Sequence, residues 1–249
     1  MAKTERKKNR FGLVGKNISY SFSQGFFTEK FKKLGLVNTS YQNFDLDDIT
    51  KFHDLINDNN LKGLNVTIPY KELIIPFLDS LDLNAESIGA VNTIKFTSGT
   101  LKGFNTDAYG FEKAIKPHLK TQHKKALLLG TGGASKAIAY VFDALGVDYT
   151  YVSRNPTKNQ YTYHKLDKTI LSEYTIIVNC SPVGTYPNIE EKPNIPYEYI
   201  TPKHLLFDLI YNPEKTAFLK TGEANGATIQ NGLAMLEFQA EKAWEIWNS

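Results

Sequence analysis

The fold of this chain is limited most strongly by a glycine-rich turn that directly follows a wholly apolar segment. Residues 126–129 read Ala-Leu-Leu-Leu, and residues 130–135 continue as Gly-Thr-Gly-Gly-Ala-Ser. The apolar run predicts a buried strand, and the residues after the turn predict a helix that ends at Gly146. Glycines at such a turn let a pyrophosphate approach the backbone at a helix N-terminus, so the segment predicts a Rossmann-like dinucleotide site. The alternative is a tight turn in a protein that binds no nucleotide.

The next predicted strand, 149–152, indicates which dinucleotide such a site would bind. An NAD site places Asp or Glu at the end of this strand, where the carboxylate holds a ribose hydroxyl. Here the strand runs into Ser153 and Arg154, and Lys158 follows in the same loop. A guanidinium pairs well with a phosphate, so the loop favours NADP over NAD. A solvated basic loop remains the alternative, because exposed Arg and Lys are common.

Strands and helices alternate along the chain, which predicts the α/β class with mostly parallel sheets. In the first part, strands are expected at 11–15, 39–46, 61–68, 91–96 and 100–104, and helices at 22–34 and from a cap at Asp47 to near Asn59. In the second part, strands are expected at 126–129, 149–152, 175–178 and 205–209, and an amphipathic helix is expected at 232–247. We therefore expect two domains, 1–106 with 232–249 and 107–231, the second of which carries the dinucleotide turn.

Composition limits the class of protein. The chain has 249 residues, of which 41% are hydrophobic and 22% charged, and a formal net charge of +3. These values are ordinary for a globular protein, and no apolar run reaches the ~20 residues that a membrane span needs. The basic N-terminus lacks the apolar stretch of a secretory signal, and without an aromatic platform it indicates a solvated terminus rather than a nucleic-acid-binding arm. We expect a cytoplasmic protein without membrane or nucleic-acid partners, either a monomer or a homodimer.

Cysteine and histidine give no sign of a metal site. Cys180 is the single cysteine, which excludes an internal disulfide and suits a reducing compartment. Its sequence motif contains no histidine to activate it, so we interpret Cys180 as a small buried side chain rather than a nucleophile. The histidines have no metal-ligand spacing and are expected at the surface or in loops; they are His53, His118, His123, His164 and His204.

Three polar segments of the first part are candidates for a substrate site. Ser21 and Ser23 follow the first strand, where they could hold a carboxylate or cap the helix that follows. Lys71 stands at a strand–helix junction, although most lysines are simply solvated. Asp107 follows the predicted hairpin at the start of a helix, where it could be catalytic or an N-cap. Singly, none of these residues indicates a function.

In their order along the chain, these segments resemble the motifs of the shikimate dehydrogenase family over nearly the whole length. Each motif is weak by itself, but six or more in family order are highly specific. The matching segments are residues 18–23, Asn65-Val-Thr-Ile-Pro-Tyr-Lys71, Gly89-Ala-Val-Asn92-Thr, Gly103-x-Asn-Thr106-Asp107, residues 130–135, Ser153-Arg-Asn155, Asn179-Cys-Ser-Pro-Val-Gly184, Asp208-Leu-Ile-Tyr211-Asn-Pro-x-x-Thr216 and Gly232-x-x-Met-Leu-x-x-Gln239.

The resemblance implies an NADP-dependent oxidoreductase that interconverts 3-dehydroshikimate and shikimate without a metal, on the route to chorismate and aromatic amino acids. It implies that residues 1–106 with 232–249 are the substrate-binding catalytic domain and 107–231 the NADP-binding domain. Catalysis is assigned to Lys71, which would supply or position the proton that the ketone oxygen gains, and to Asp107, which would orient Lys71 and bind a ring hydroxyl. The other implied substrate contacts are Ser21, Ser23, Thr67, Asn92, Thr106, Tyr211 and Gln239. The implied cofactor contacts are Gly130, Thr131, Gly132, Gly133, Ala134, Ser153, Arg154, Lys158, Ser181 and Gly232.

Four residues depart from the family pattern. Tyr20 replaces a histidine, Gln24 a proline and Thr185 a methionine. Ser135 stands where glycine or alanine is usual. None of these changes removes an expected catalytic group. Two alternatives stay open: a quinate/shikimate dehydrogenase with relaxed cofactor choice, and a catalytically silent NADP-binding sensor, against which the retained lysine and aspartate argue.

Overall fold

The structure is a computed structural model that describes residues 9–18, 21–57 and 61–249. It divides into two compact units, Met1–Thr106 with Ala240–Ser249 and Asp107–Gln239. Within the described ranges, every helix is too short or too polar to span a bilayer. Residues 1–8, which hold most of the basic N-terminal run, and the departure at Tyr20 lie outside the described residues.

The first unit is built on a mixed sheet. Its strands are β1 (Asn9–Gly15), β2 (Thr39–Asp45), β3 (Leu61–Val66), β4 (Ser80–Leu81), β5 (Thr93–Thr97) and β6 (Thr100–Phe104), and its helices are α1 (Phe22–Lys33), α2 (Phe52–Asn57), α3 (Tyr70–Leu73) and α4 (Leu83–Ile88). Among the described residues the strand order is β2-β1-β3-β5-β6-β4. β1 pairs in parallel with β2 and β3, whereas β5 runs antiparallel to β3 and β6.

An aromatic cluster ties the end of the chain to this first sheet. Phe27 of α1 stacks on Tyr41 of β2, with 4.6 Å between the ring centroids. Trp247 packs into the same cluster, and its indole N–H donates to the carbonyl oxygen of Ile94 at 3.0 Å. Gly63 of β3 lies directly against the indole, where a Cβ would overlap the ring. The close approach therefore depends on a glycine in the middle of a strand.

The second unit contains a parallel sheet covered by helices, as the sequence predicts. Its strands are β7 (Lys125–Leu129), β8 (Asp148–Val152), β9 (Ile176–Asn179), β10 (Leu205–Asp208) and β11 (Thr228–Gln230), and its helices are α5 (Asp107–Ile115), α6 (Gly133–Leu145), α7 (Lys168–Glu173), α8 (Ala217–Ala224) and the first part of α9 (Leu233–Asn248). The order is β11-β10-β9-β7-β8 with every pair parallel. The order reverses at β7, which is where ligand crevices form in such sheets.

Several element boundaries differ from the predicted ones. Asp48, not Asp47, is the capping residue, because its carboxylate accepts from the backbone N–H of Thr50 at 2.8 Å. β3 ends at Val66, two residues earlier than expected. The helix expected at the Lys71 junction is the short α3, whereas α4, α7, α8, β4 and β11 have no counterpart in the sequence prediction. The compact units divide within α9 after Gln239, whereas the expected domain boundary lies at residue 232.

Two histidines expected at the surface or in loops are buried in the second unit. His123 and His204 are 4% and 2% exposed, and both ring nitrogens of each lie within hydrogen-bonding distance of the backbone. Each ring connects its own loop, through the backbone N–H of Lys120 or Thr201, to a carbonyl oxygen distant in sequence, that of Lys203 or Leu171. The distant contact is the physical reason for the burial. Among the described residues, no group of His, Cys, Asp and Glu could hold a metal ion.

Candidate functional site

The carboxyl ends of β1 and β3 bring predicted substrate segments together at one edge of the first sheet. The strands are parallel neighbours, so their ends meet, and loops at such ends form ligand sites. Thr67, just after β3, donates its backbone N–H to the carbonyl oxygen of Val14 at 2.9 Å. A Cβ on Gly15 would come within 2.5 Å of the Thr67 methyl group, so this approach requires a glycine at the end of β1.

Ser21 and Ser23 lie at the start of α1. Ser21 is the N-cap of this helix, and its hydroxyl oxygen accepts from the backbone N–H of Ser23 at 3.1 Å. The capping role left open by the sequence is therefore present, and a hydroxyl that accepts through oxygen can still donate its hydrogen to an anion. Ser23 is buried close to Tyr41, and burial raises the pKa of Tyr41. Gln24 is exposed one residue further along.

The backbone around Lys71 is fixed by the segments on either side of it. The N–H of Tyr70 donates to the carbonyl oxygen of Thr67 at 2.9 Å, which turns the chain into α3. The carbonyl oxygen of Lys71 accepts from the backbone N–H of Val91 at 2.7 Å, and the Lys71 side chain is half-buried. The lysine is thus anchored beside the residue that precedes Asn92.

Asn92 and Thr106 form a reciprocal pair in the interior of the first unit. Asn92 Oδ1 accepts from the backbone N–H of Thr106 at 2.7 Å, and Asn92 Nδ2 donates to Thr106 Oγ1 at 3.0 Å. The two residues are only 3% and 1% exposed. The pair therefore fixes the end of β6, directly before Asp107 in the sequence.

A buried polar chain supports this pair, and the sequence pattern does not predict it. The hydroxyl of Tyr41 donates to Asn65 Oδ1 at 2.8 Å, and Asn65 Nδ2 donates to Thr93 Oγ1 at 3.2 Å. Thr93 Oγ1 in turn donates to Asn92 Oδ1 at 3.1 Å. These contacts form a continuous chain from Tyr41, which lies close to Ser23, to the expected amide of Asn92. The sequence signal that points to this chain is Asn65, at the head of the lysine motif.

Asp107 and Gln239 both belong to the second unit. Asp107 is 5% exposed and is the first residue of α5, whereas an N-cap would precede the helix. One turn later, α5 packs closely on α9: a Cβ on Gly110 would come within 2.5 Å of the Met235 carbonyl oxygen and 3.0 Å of Gln239 Cβ. Residues three apart share a helix face, so Asp107 lies on the face of α5 that packs against Gln239.

The glycine turn joins β7 to α6 where the strand order reverses. Gly130 has a φ of +122°, which favours glycine, and its N–H donates to the carbonyl oxygen of Val152 at 3.0 Å. Gly132 is the extended residue before α6, and a Cβ there would meet open space. The Ser135 departure is accommodated because its buried hydroxyl donates to the Gly132 carbonyl oxygen at 2.7 Å. Thr131 lies within the turn, and Gly133 and Ala134 are the first residues of α6.

Ser153, Arg154 and Lys158 lie in the loop beside this turn. β7 and β8 pair Leu129 with Val152, so the residues that follow the two strands are neighbours. Arg154 and Lys158 are both exposed. This loop therefore presents two cations next to a helix N-terminus and, as the sequence predicts, offers no carboxylate at the end of β8.

The remaining expected cofactor residues follow β9 and β10. Ser181 donates its hydroxyl to Asn179 Oδ1 at 2.6 Å. The N–H of Gly232 donates to the carbonyl oxygen of Ile210 at 3.0 Å, and a Cβ on Gly232 would overlap the backbone after β10. Tyr211 is half-buried in that loop, and the departure at Thr185 is half-buried in the loop after β9.

Cys180 has the surroundings of an inert thiol. Burial raises the pKa of the thiol, and the nearby carboxylate of Asp208 raises it further. Its sulfur donates weakly to the carbonyl oxygen of Val178 at 3.8 Å. Because the thiolate is the nucleophilic form, this environment disfavours a nucleophilic role, but the residue is half-buried and not the buried side chain expected from the sequence.

Comparison with known proteins assigns the chain to a family. The model of the shikimate dehydrogenase substrate-binding domain matches residues 13–94. A shikimate dehydrogenase (NADP(+)) of Clostridium botulinum strain Hall is 39% identical over 247 residues, which cover 95% of each chain. The chain belongs to the shikimate dehydrogenase family.

Solved structures of shikimate dehydrogenases have the same two-unit α/β fold. The enzyme from Aquifex aeolicus superposes with a TM-score of 0.88 at 31% identity, over 100% of this chain and 94% of that one. The enzyme from Thermus thermophilus, solved in complex with NADP(H) and shikimate, gives 0.85 at 30% identity, over 96% and 93%. Both the family resemblance and the Rossmann-like fold class expected from the sequence are confirmed.

The shikimate dehydrogenase motifs fall into two groups in the structure. In the first unit, Thr67, Lys71, Asn92 and Thr106 meet at one sheet edge, joined by backbone and side-chain hydrogen bonds. In the second unit, the glycine turn, the Ser153 loop and Ser181 meet at the carboxyl ends of β7, β8 and β9. The individual roles of these residues stay predictions.

Proposed function

We propose that this chain catalyses the reversible NADP-dependent reduction of 3-dehydroshikimate to shikimate. The observation that carries the proposal is the 39% identity, over 95% of both chains, to a relative named for that activity and cofactor. The proposal includes a substrate-binding role for the first unit and a cofactor-binding role for the second, in a cytoplasmic monomer or homodimer.

The residues at the ends of β7 and β8 fit NADP. The positive φ of Gly130 and the open space at Gly132 leave room for a pyrophosphate at the N-terminus of α6. The exposed Arg154 and Lys158 would pair with the 2′-phosphate. We assign the remaining cofactor contacts to Thr131, Gly133, Ala134, Ser153, Ser181 and Gly232.

The first unit would bind and orient the polyhydroxylated acid. The hydroxyls of Ser21 and Ser23 donate to its carboxylate, and the amide of Asn92 bonds a ring hydroxyl at a position fixed by Thr106. The preorganisation of Asn92 in a buried hydrogen-bond network limits the entropy lost on binding. We assign the further substrate contacts to Thr67, Tyr211 and Gln239.

Lys71 and Asp107 are the proposed catalytic residues. Bound NADPH supplies the hydride that the carbonyl carbon gains. The Lys71 ammonium holds at Nζ the proton that the carbonyl oxygen gains, so negative charge does not accumulate on that oxygen. Asp107 accepts a hydrogen bond from a ring hydroxyl. In the oxidative direction, neutral Lys71 accepts the hydroxyl proton instead.

The test is to incubate the purified protein with 3-dehydroshikimate and NADPH, and to identify the product by chromatography. We expect shikimate in a 1:1 ratio to the NADPH consumed, and no reaction without protein. 3-Dehydroquinate serves as the second substrate: reduction at equal efficiency would identify a quinate/shikimate dehydrogenase. NADP⁺ binding without turnover of either ketone would identify a silent sensor and overturn the proposal.

A further inference from the structure

Asp208 is a buried carboxyl group for which the proposed reaction has no use. It is the last residue of β10, is fully buried, and accepts three hydrogen bonds. Its Oδ2 accepts from the hydroxyl of Thr216 at 2.6 Å, and its Oδ1 accepts from the backbone N–H of Ile210 at 3.0 Å and from Asn179 Nδ2 at 3.0 Å. A carboxylate is an acceptor only, so it directs the amide nitrogen of Asn179 toward itself, and the carbonyl oxygen of Val183, which accepts from the same nitrogen at 3.3 Å, favours the same orientation.

The orientation of the Asn179 side-chain amide determines how it can hydrogen-bond the turn that follows it. With its nitrogen directed to Asp208, its Oδ1 accepts from both the backbone N–H of Ser181 at 3.1 Å and the hydroxyl of Ser181 at 2.6 Å. Asn179 is the last residue of β9 and is fully buried, so no water can replace these bonds at low cost. A flipped amide would present N–H groups to both donors of Ser181.

The turn held by Asn179 packs directly on the glycine turn. A Cβ on Gly130 would lie 3.3 Å from the Cys180 backbone and 3.5 Å from the Ser181 nitrogen. The strand register brings the ends of these strands side by side, because Asn179 pairs with Leu129 of β7 on one side and with Asp208 of β10 on the other. A shift of the 180–181 backbone would therefore reach the residues assigned to the pyrophosphate.

We propose that Asp208 and Asn179 are positioning residues for the dinucleotide, in which the carboxylate fixes the Asn179 amide and the amide fixes the Ser181 turn against Gly130. This inference rests on the proposed cofactor-binding function. Neither side chain needs to touch the ligand. Their effect is on the affinity for NADP⁺ and not on the substrate residues of the first unit.

Calorimetric titration of NADP⁺ into the purified full chain tests the proposal, with Asn179→Ala, Asp208→Asn and the double variant. We expect Asn179→Ala to weaken NADP⁺ binding on the order of tenfold or more, the scale for loss of buried hydrogen bonds. Asp208→Asn, which removes the shorter of the two contacts that orient the amide nitrogen, should weaken binding about threefold to tenfold. Because Asp208 acts through Asn179, the double variant should bind within about twofold of Asn179→Ala.

Thr175→Ala is the matched control, since it truncates a buried polar side chain at the opposite end of the same strand. Its hydroxyl donates to the carbonyl oxygen of Gln122 at 3.1 Å. It should lose stability yet bind NADP⁺ like the unmutated chain, and all variants should keep KM for shikimate within about twofold.

Two results distinguish a failure of the positioning role from a failure of the proposed function. If the unmutated chain binds NADP⁺ and both single variants bind it equally well, or if the double variant shows the sum of the single effects, the positioning role is wrong. If the unmutated chain binds no NADP⁺, the proposed function itself fails. Should Asn179→Ala not fold, Asp208→Asn alone decides, because it retains the side-chain volume.

Discussion

At the scale of single residues, Lys71 shows how backbone hydrogen bonds fix the position of a site residue. Most lysines at a strand–helix junction are simply solvated, and the sequence position alone cannot distinguish a solvated lysine from a catalytic one. In the structure, the backbone bond from Val91 fixes the Lys71 main chain next to Asn92, and the side chain is half-buried. The position is therefore determined by the sheet edge and not by local sequence.

Replacement of Lys71 by alanine should lower kcat by about 10²–10⁴-fold, the range for loss of a positioned acid–base group. Stability should hardly change, because the backbone contacts that fix α3 remain. Steady-state turnover and thermal unfolding measure the two effects. Lys62→Ala, which removes an exposed lysine of β3, is the control and should leave both unchanged. Near-normal turnover of Lys71→Ala would remove the lysine from the mechanism.

Ser21 and Ser23 combine a structural and a proposed binding role, which two measurements can separate. Replacing both by alanine should raise KM for shikimate, since the carboxylate is bound in the ground and transition states alike. It should also cost about 1 kcal/mol of unfolding free energy for the lost cap. Asp82→Ala removes the cap of α4, whose carboxylate accepts from the N–H of Ala85, and should lower stability alone. An unchanged KM in the serine variant would place the carboxylate elsewhere.

At the scale of elements, the sequence predicts strands and helices that are marked by apolar runs or ended by glycine, and it misses short helices. The apolar run before Gly130 predicts β7, and Gly146 predicts the end of α6. Both predictions succeed because strand burial and the left-handed cap are local properties. α4, α7 and α8 are only six to eight residues long, too short for a helical period to stand out. The burial of His123 and His204 depends on loop contacts distant in sequence, as does the polar chain from Tyr41 to Asn92.

Two glycines in helices should respond in opposite directions to substitution by alanine. In Gly110→Ala, the new Cβ would meet the Met235 carbonyl oxygen at 2.5 Å, so α5 and α9 must separate, at a cost of about 1–3 kcal/mol. Activity should fall too, since Asp107 and Gln239 lie at this contact. In Gly25→Ala, the Cβ meets open space on α1, and a gain of about 0.5–1 kcal/mol is expected. Urea unfolding measures the change in unfolding free energy of both variants. A change in the same direction for both would contradict the packing described.

At the scale of the whole molecule, one buried group gives stability a pH dependence of defined sign. Burial raises the pKa of Asp208 from 3.8 to about 6. The folded state therefore binds this proton more tightly than the unfolded chain, and the associated stability, fully present below the unfolded pKa, is lost as the pH rises through about 6. Cys180 and Tyr197 face the carboxyl group, and burial raises the pKa of both, so they stay neutral in this range.

Asp208→Asn removes this titration and serves as the comparison. Between about pH 5 and pH 7, the unfolding free energy of the unmutated chain should fall relative to the variant by roughly 1 kcal/mol. Urea unfolding at the two pH values measures the difference, whatever the absolute stability of the variant. Parallel pH dependences would show that Asp208 is already ionised at pH 5.

NADP-dependent turnover of shikimate is tested most simply by kcat/KM for shikimate oxidation with NADP⁺ and with NAD⁺ at low salt. A charge-assisted contact contributes about 1.5–3 kcal/mol, so the exposed Arg154 should favour NADP⁺ on the order of tenfold to a hundredfold. Arg154→Ala should lose that preference because its KM for NADP⁺ rises. Lys165→Ala, which removes another exposed cation of the second unit, should keep the preference. Equal efficiency of the unmutated chain with both cofactors, or no turnover of shikimate with either, would contradict the assignment.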